Sequence, residues 1–329
     1  MNIVRQTSIS GAICCVATLM LSLPGIPAIA ADSYPNKPIR IIIPSAPGSG
    51  PDVVTRFIAS RLTEDWGQQV VSDNRAGAAG SIGAEIASRA APDGYTLFMA
   101  NLEQISGPLF LEKLPYNLIR DFLPISLIAS TPYVLVINPS VAATSVKELI
   151  SLAKAKPGVL QYGSSGVGGA LHLAAEMFNV MSDTKLVHVP YKSVVYALID
   201  VMGGQVQLAF SVMPAALPHI KQGKLRALGV SSLKRTPLAP DLETIAATVP
   251  GYEMVGWYGL MAPVKTPDAV ITKVNAEVIN ALKPVEIREK MQALGTEPIG
   301  TTPQEFASFL RAQNEKIRKT IEASGMRAD

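Results

Sequence analysis

The sequence predicts an α/β protein made of two doubly wound units, and three observations predict it. Short β-branched runs alternate with amphipathic stretches between residues 37 and 100. The same rhythm restarts near residue 133 and runs to about residue 230. Helical stretches at 267–281, 285–294 and 303–324 then close the chain and cannot belong to the second unit. Strand–helix–strand alternation builds a sheet covered by helices, so two lobes are expected.

Residues 37–44, KPIRIIIP, form a β-branched run closed by proline and read as a buried strand. After a loop at 45–52, residues 53–62 carry apolar positions at helical spacing, with Asp52 as the expected cap and Pro51 restraining the helix start. Residues 69–72 read as a second strand, and Ser81 as the N-cap of a helix over 82–90. Pro92-Asp93-Gly94 is a turn before a third strand at 95–100. In the second unit, a strand at 133–137 precedes a helix over 146–154 capped by Thr144 or Ser145. A strand at 160–163, a Gly/Ser loop at 164–169 and a helix over 170–179 follow. Further strands are expected at 186–189, 206–210 and 227–230, and an extended aromatic stretch at 252–260.

Of the 329 residues, 48% are hydrophobic and only 17% charged, which suits a large buried core and excludes a disordered chain. The net charge of +3 comes without any lysine- or arginine-rich run, so nucleic acid is not an expected partner. Residues 1–30 read as a signal peptide. Arg5 is the positive start, 13–23 the apolar run, Pro24-Gly25 the break, and Ala28-Ile29-Ala30 the small residues before a cut after Ala30. The apolar run is shorter than the roughly 20 residues that span a bilayer. Cys14 and Cys15 lie inside it, so a chain cut there keeps no cysteine. Ile13 precedes Cys14, too early for a lipid anchor. Periplasmic export follows as the expectation.

Two loops share one design. Residues 45–52 and 164–169 each follow a buried strand, are rich in Gly and Ser, and open into a helix. A helix N-terminus presents unpaired N–H groups and a partial positive charge, and glycine lets a ligand approach the backbone. Such an edge takes an anion without lysine or arginine, and ligands of open α/β sheets lie outside the carboxyl ends of the strands. Enzyme motifs fail. Gly163-Ser164-Ser165-Gly166-Val167 lacks the last glycine of a nucleophile elbow. Gly48 to Val53 and Gly166 to Leu171 end wrongly for a dinucleotide fingerprint. His172, His188 and His219 are too scattered for a metal set, and His172 with Glu176 reads as a local helix pair. No catalytic residue, metal ligand or cofactor is expected.

Further motifs run through the chain: Lys37-Pro38-Ile39-Arg40, Pro44 to Asp52, Asn74-Arg75-Ala76-Gly77 and Pro92-Asp93-Gly94-Tyr95-Thr96-Leu97. Later come Tyr162 to Gly168 with His172-Leu173, His188-Val189-Pro190-Tyr191-Lys192, Gly223 to Leu228 and Trp257-Tyr258-Gly259. In this order the chain resembles the Bug family, TctC-like periplasmic receptors of tripartite tricarboxylate transporters. The resemblance implies a two-lobed type II periplasmic binding protein fold with two crossing strands as hinge, near 127–137 and 252–260. Lobe 1 would be 31–130 plus 258–329 and lobe 2 would be 131–257. It further implies capture of a small carboxylate in the interlobe cleft, membrane subunits as partners, and a monomer. The first loop supplies Ser45, Ala46, Pro47, Gly48 and Ser49 as ligand contacts, and the second supplies Ser164, Ser165, Gly166 and Gly168. His172, Tyr191, Ser211, Asn101 and Glu103 complete the candidate set.

This chain departs from the family where it matters for the ligand. Ser45 stands where an aromatic is usual, and Glu103 brings a carboxylate toward a cleft expected to hold an anion. Two other readings stay open: a receptor that signals to a membrane sensor, and a serine hydrolase using Ser164 or Ser165, for which His172 lies too far along the chain to be a convincing base.

Overall fold

The computed structural model describes residues 34–110 and 114–326; the expected signal peptide, 1–30, lies outside them. The first half runs β1 (Ile39–Ile43), α1 (Gly50–Trp66), β2 (Val70–Asn74), α2 (Ser81–Ser88), β3 (Thr96–Asn101), α3 (Glu103–Phe110) and α4 (Leu118–Asp121). A long strand, β4 (Phe122–Ile137), leads to α5 (Val146–Ala155), β5 (Gln161–Ser164), α6 (Ala170–Ser182), β6 (Val187–Pro190), α7 (Val194–Met202), β7 (Leu208–Val212), α8 (Met213–Lys221) and β8 (Arg226–Val230). The chain ends with β9 (Val255–Pro263), α9 (Asp268–Ala281), α10 (Val285–Ala293), β10 (Glu297–Pro298) and α11 (Pro303–Ser324).

The strand path is β2-β1-β3-β9-β4-β7-β5-β6, with β10 and β8 also on β4. β1 is parallel to β2 and β3, and β5 to β6 and β7, as helical crossovers require. β9 and β4 run antiparallel to their neighbours. The expected strand at 133–137 is only the end of a 16-residue strand. Phe122 to Pro132 pairs with β9, and Tyr133 to Ile137 pairs with β7. One strand therefore serves both lobes.

Chain return is fixed beside it. Val255 lies opposite Pro132. Just before, Met254 N–H donates to the Ser231 carbonyl at 3.0 Å, and Ser231 N–H donates to the Tyr133 carbonyl at 2.8 Å. The Ser231 hydroxyl accepts from Tyr133 N–H at 2.8 Å and donates to the Met254 carbonyl. Ser231 is fully buried, and it ties the two crossings together.

Strand pleating sorts the core into layers. Ile39, Ile41 and Ile43 pack with Val54, Ile58 and Leu62 of α1 and Val274 and Val278 of α9. Val134 and Val136 of β4 meet Leu198, Val201 and Ala216 from α7 and α8. The other face of β4, Tyr133, Leu135 and Ile137, joins a cluster that spans both lobes and includes Phe178, Trp257, Phe306 and Ile317. α11 packs on α3 and β4 and also on α6, and its Lys316 bonds Glu253 at 2.7 Å. The last helix thus touches both lobes.

Local differences from the sequence reading concern caps. α1 starts at Gly50, with Ser49 at the N-cap position making no side-chain bond. Asp52 sits inside the first turn and reaches back to Gly48 N–H at 2.8 Å, a brace rather than the cap itself. Gly80, in the left-handed region, precedes α2, so Ser81 is its first residue. Ser145 is the cap of α5. Among the described residues no helix is long and apolar enough to cross a membrane.

Replacing Ser231 by Ala strands a buried N–H at Tyr133 and a carbonyl at Met254. That should cost about 1–3 kcal/mol. Thermal unfolding of Ser231→Ala should show a lower Tm with an intact fold; an unchanged Tm removes the staple from the account.

Candidate functional site

A cavity of about 420 Å³ opens where the lobes meet. Lobe 1 lines it with Pro44, Ser45, Ala46, Ser49, Pro51, Gly77, Gly80, Asn101, Leu102 and Glu103. Its floor is Thr131 and Tyr133 from β4 and Gly256, Trp257 and Tyr258 from β9. The far side supplies Ala170, the first residue of α6, and Val212, the last of β7. No lysine, arginine or histidine is among these residues, and Glu103 is the one carboxylate.

The first loop is held from behind. Asp52 is buried, accepts from Gly48 N–H, and is paired with Arg56 at 3.0 Å. Asn74 donates to the Ser45 carbonyl at 3.0 Å and accepts from Arg56 at 3.1 Å. Burial alone would raise the Asp52 carboxyl, but bonds from Arg56, Gly48 and Asn74 outweigh it and hold it below the usual range. Gly48 has φ +80°, where a side chain is strained. Gly50 is needed for another reason: a Cβ there would lie 2.2 Å from the Tyr258 hydroxyl. The N-terminus of α1 and the tyrosine of the floor are therefore in close contact.

β3 ends at Asn101, whose side chain accepts from Glu103 N–H at 2.8 Å while Gln104 accepts from Asn101 N–H at 2.8 Å. This pair of bonds starts α3 with Glu103 as its first residue, facing the cavity. Desolvation pushes the Glu103 carboxyl above the ordinary value, against a bond from Asn101 that lowers it. Burial raises the Tyr133 and Tyr258 hydroxyls, and the nearby Glu103 charge adds to both.

In lobe 2 the loop between β5 and α6 is organised inward. Gly166 and Gly168 have φ +117° and +73°. Ser164 is fully buried; its hydroxyl accepts from Gly166 N–H at 3.1 Å and lies 2.7 Å from His188 Nε2. Gly168 N–H donates to His172 Nδ1 at 3.0 Å. The His172 and His188 rings stack at 3.7 Å, and Tyr162 stacks on His188 at 5.0 Å. Glu176 takes the Tyr162 hydroxyl, not His172. Desolvation, then the neighbouring His188, push the His172 pKa down to about 3.

Of the residues expected at the site, Ser45, Ala46, Ser49, Asn101 and Glu103 line the cavity. Pro47 and Gly48 are exposed at the tip of the same loop. Ser165 is exposed, and Gly166 and Gly168 stand beside Ala170 at the α6 N-terminus. Ser164, His172 and Ser211 are buried, and Tyr191 donates its hydroxyl to Asp200 at 2.7 Å. The base that a hydrolase would need is present as His188, yet Ser164 has no exposed surface on which a substrate could sit. Sequence reasoning missed the floor. Trp257-Tyr258-Gly259 was a visible signal, but the pairing that sets it opposite 127–130 is non-local. Among the described residues no group of three or more His, Cys, Asp or Glu could hold a metal.

His172 is kept neutral by the fold and prefers a proton in the unfolded chain below about pH 6.5. Its share of stability is complete above that pH and is lost as pH falls toward about 3. A His172→Gln variant should therefore lose less Tm than the parent over that interval in pH-dependent unfolding. Equal losses would mean that the pair does not sense acid.

Comparison with known proteins identifies the family. The match to the tripartite tricarboxylate transporter family receptor spans residues 54–326. Protein BugT of Bordetella pertussis is 33% identical over 99% of both chains. Rpa4515 of R. palustris, solved with adipate, is 33% identical with a TM-score of 0.74, covering 90% of this chain and 100% of its own. MatC of Rhodopseudomonas palustris, solved with malate, is 26% identical with a TM-score of 0.69, covering 88% of this chain and all of its own. The shared strand and the cleft floor fall within the match, which starts after the first loop, and the chain belongs to the tripartite tricarboxylate transporter receptor family.

Proposed function

We propose that this receptor is exported to the periplasm, captures a small carboxylate between its lobes and presents it to membrane subunits of a tripartite transporter. The observation that carries the reading is the interlobe cavity into which α1 opens at its N-terminus with no basic side chain in the wall. A carboxylate there would be held by main-chain N–H groups and hydroxyls, as helix ends hold anions. The adipate and malate of the two neighbours support this chemistry. Ser45, Ala46 and Ser49 would meet one end of the ligand, with Pro47 and Gly48 shaping the turn. Ser165, Gly166 and Gly168 at α6 would meet the other when the lobes approach. Ser164, His172, Tyr191 and Ser211 would act from behind, by holding that loop in place. Binding needs no second copy and no cofactor, and a monomer suffices.

Magnitudes favour closure over an open site. A helix terminus contributes at most about 2 kcal/mol to a nearby anion, whereas micromolar affinity needs about 8 kcal/mol. The difference has to come from burying the ligand and excluding water, which a one-sided wall cannot do.

Titration calorimetry with short mono- and dicarboxylates should find one site per chain. If no small acid binds, the reading falls. Gly48→Val and Gly166→Val each put a branched side chain at positive φ, a strain of about 1–2 kcal/mol or more. Each should weaken binding about tenfold or more while the protein stays folded; full affinity in both would take the loops out of the site.

A further inference from the structure

The cavity wall is not neutral. Its single ionisable acid, Glu103, stands among aromatic hydroxyls: its charge reaches Tyr116, Tyr133 and Tyr258. The groups acting on the Glu103 carboxyl include the Asn101 side chain and no cation. A carboxylate in an open cleft without a basic partner repels a second carboxylate at short range. Around the same cavity, three buried donors are unspent: the Ser49 and Thr131 hydroxyls and the indole N–H of Trp257 have no hydrogen-bond partner. These donors and the α1 N-terminus suit an anion, whereas Glu103 is the one charged side chain of the wall and suits a cation. The wall thus carries features for both signs of charge.

We infer that the ligand of this receptor is a zwitterion, a carboxylic acid carrying a protonated amine, with Glu103 as the residue that selects the amine. The inference rests on the carboxylate-receptor reading and narrows it. The carboxylate end meets the first loop and α1; the ammonium lies against Glu103, which supplies the missing counter-charge. Burying that charge pair is tolerable because each member is then hydrogen-bonded and paired. Glu103 also gains from sitting at the α3 N-terminus, where an acid is favoured without any ligand. That role predicts only a loss of stability on substitution, so ligand preference separates the two.

The test uses two matched probe pairs, succinate with γ-aminobutyrate and adipate with ε-aminohexanoate, titrated into the parent protein and Glu103→Gln. The members of a pair differ in one end group, anionic or cationic. The parent should bind the amino member of at least one pair about tenfold or more tighter than its diacid. Glu103→Gln should weaken the amino member by a similar factor and strengthen the diacid. A gain in diacid affinity cannot come from damaged folding, and a cooperative melt of the variant is recorded alongside. If the parent binds diacids as well as or better than their amino partners, and the variant keeps that order, Glu103 selects nothing and only the carboxylate reading survives. If none of the four probes binds either protein while both melt cooperatively, the carboxylate reading itself falls, and this inference with it.

Discussion

The structure depends on one strand that belongs to both lobes. β4 pairs with β9 through Pro132 and with β7 from Tyr133 onward. This continuous strand, whose pairing with β9 shifts register twice, fixes how the lobes meet. The returning chain is tied to the same point through Ser231, which bonds Tyr133 and Met254. Because the tie is made at Tyr133, the side chain that changes sheets is also part of the cavity floor. Folding of the hinge and construction of the binding floor are therefore one event. The residues that must pair to join the lobes are the residues a ligand would rest on.

Charge recognition is divided between backbone and side chains in an uneven way. Positive potential comes from the end of α1 and from N–H groups, which carry no mobile side chain and lose no rotamer freedom on binding. Negative potential comes from Glu103 alone. The first loop can offer its donors because Asp52, Arg56 and Asn74 hold it from outside the cavity. Asp52 is consumed in that work, which is why a buried acid at a helix start does not compete with an incoming anion. Each loop spends some of its N–H groups on its own support: Gly48 N–H on Asp52 in the first, and Gly166 and Gly168 N–H on Ser164 and His172 in the second.

Much of the fold is legible in the sequence because its signals are local. β1 is a run of isoleucines closed by Pro44, and α11 opens with a Thr302–Glu305 capping box. α7 and α8 are less legible. VVYALIDVM is β-branched and apolar nearly throughout, and α8 carries Pro214 and Pro218, so neither shows a clean helical period. α3 begins at a residue that reads as part of a loop and contains Gly107 and Pro108. At the site, the Gly/Ser loops announce themselves by composition. Thr131, Tyr133, Trp257 and Tyr258 do not, because the floor exists only through pairing of segments about 120 residues apart, and no local pattern encodes that register.

Closure of the cleft has to respect a rigid back wall. Trp257 of the floor meets Phe306 and Phe309 of α11 edge-on at 5.9 and 5.8 Å. A Cβ at Gly259 would lie 2.1 Å from the Phe306 ring, so β9 and α11 are in direct contact with no slack. α11 in turn packs on α3 and α6, which with α1 bring their N-termini to the cavity. Close-packed interfaces of this kind resist separation, since lost contacts and opened voids both cost energy. A wide swing about β4 would pull α6 from α11 and break the cluster that spans both lobes. Any closure of the cleft would have to leave α11 seated on both helices. If the ligand carries an amine, Glu103, the one carboxylate of the cavity wall and the first residue of a helix that α11 supports, is the group that would answer its charge.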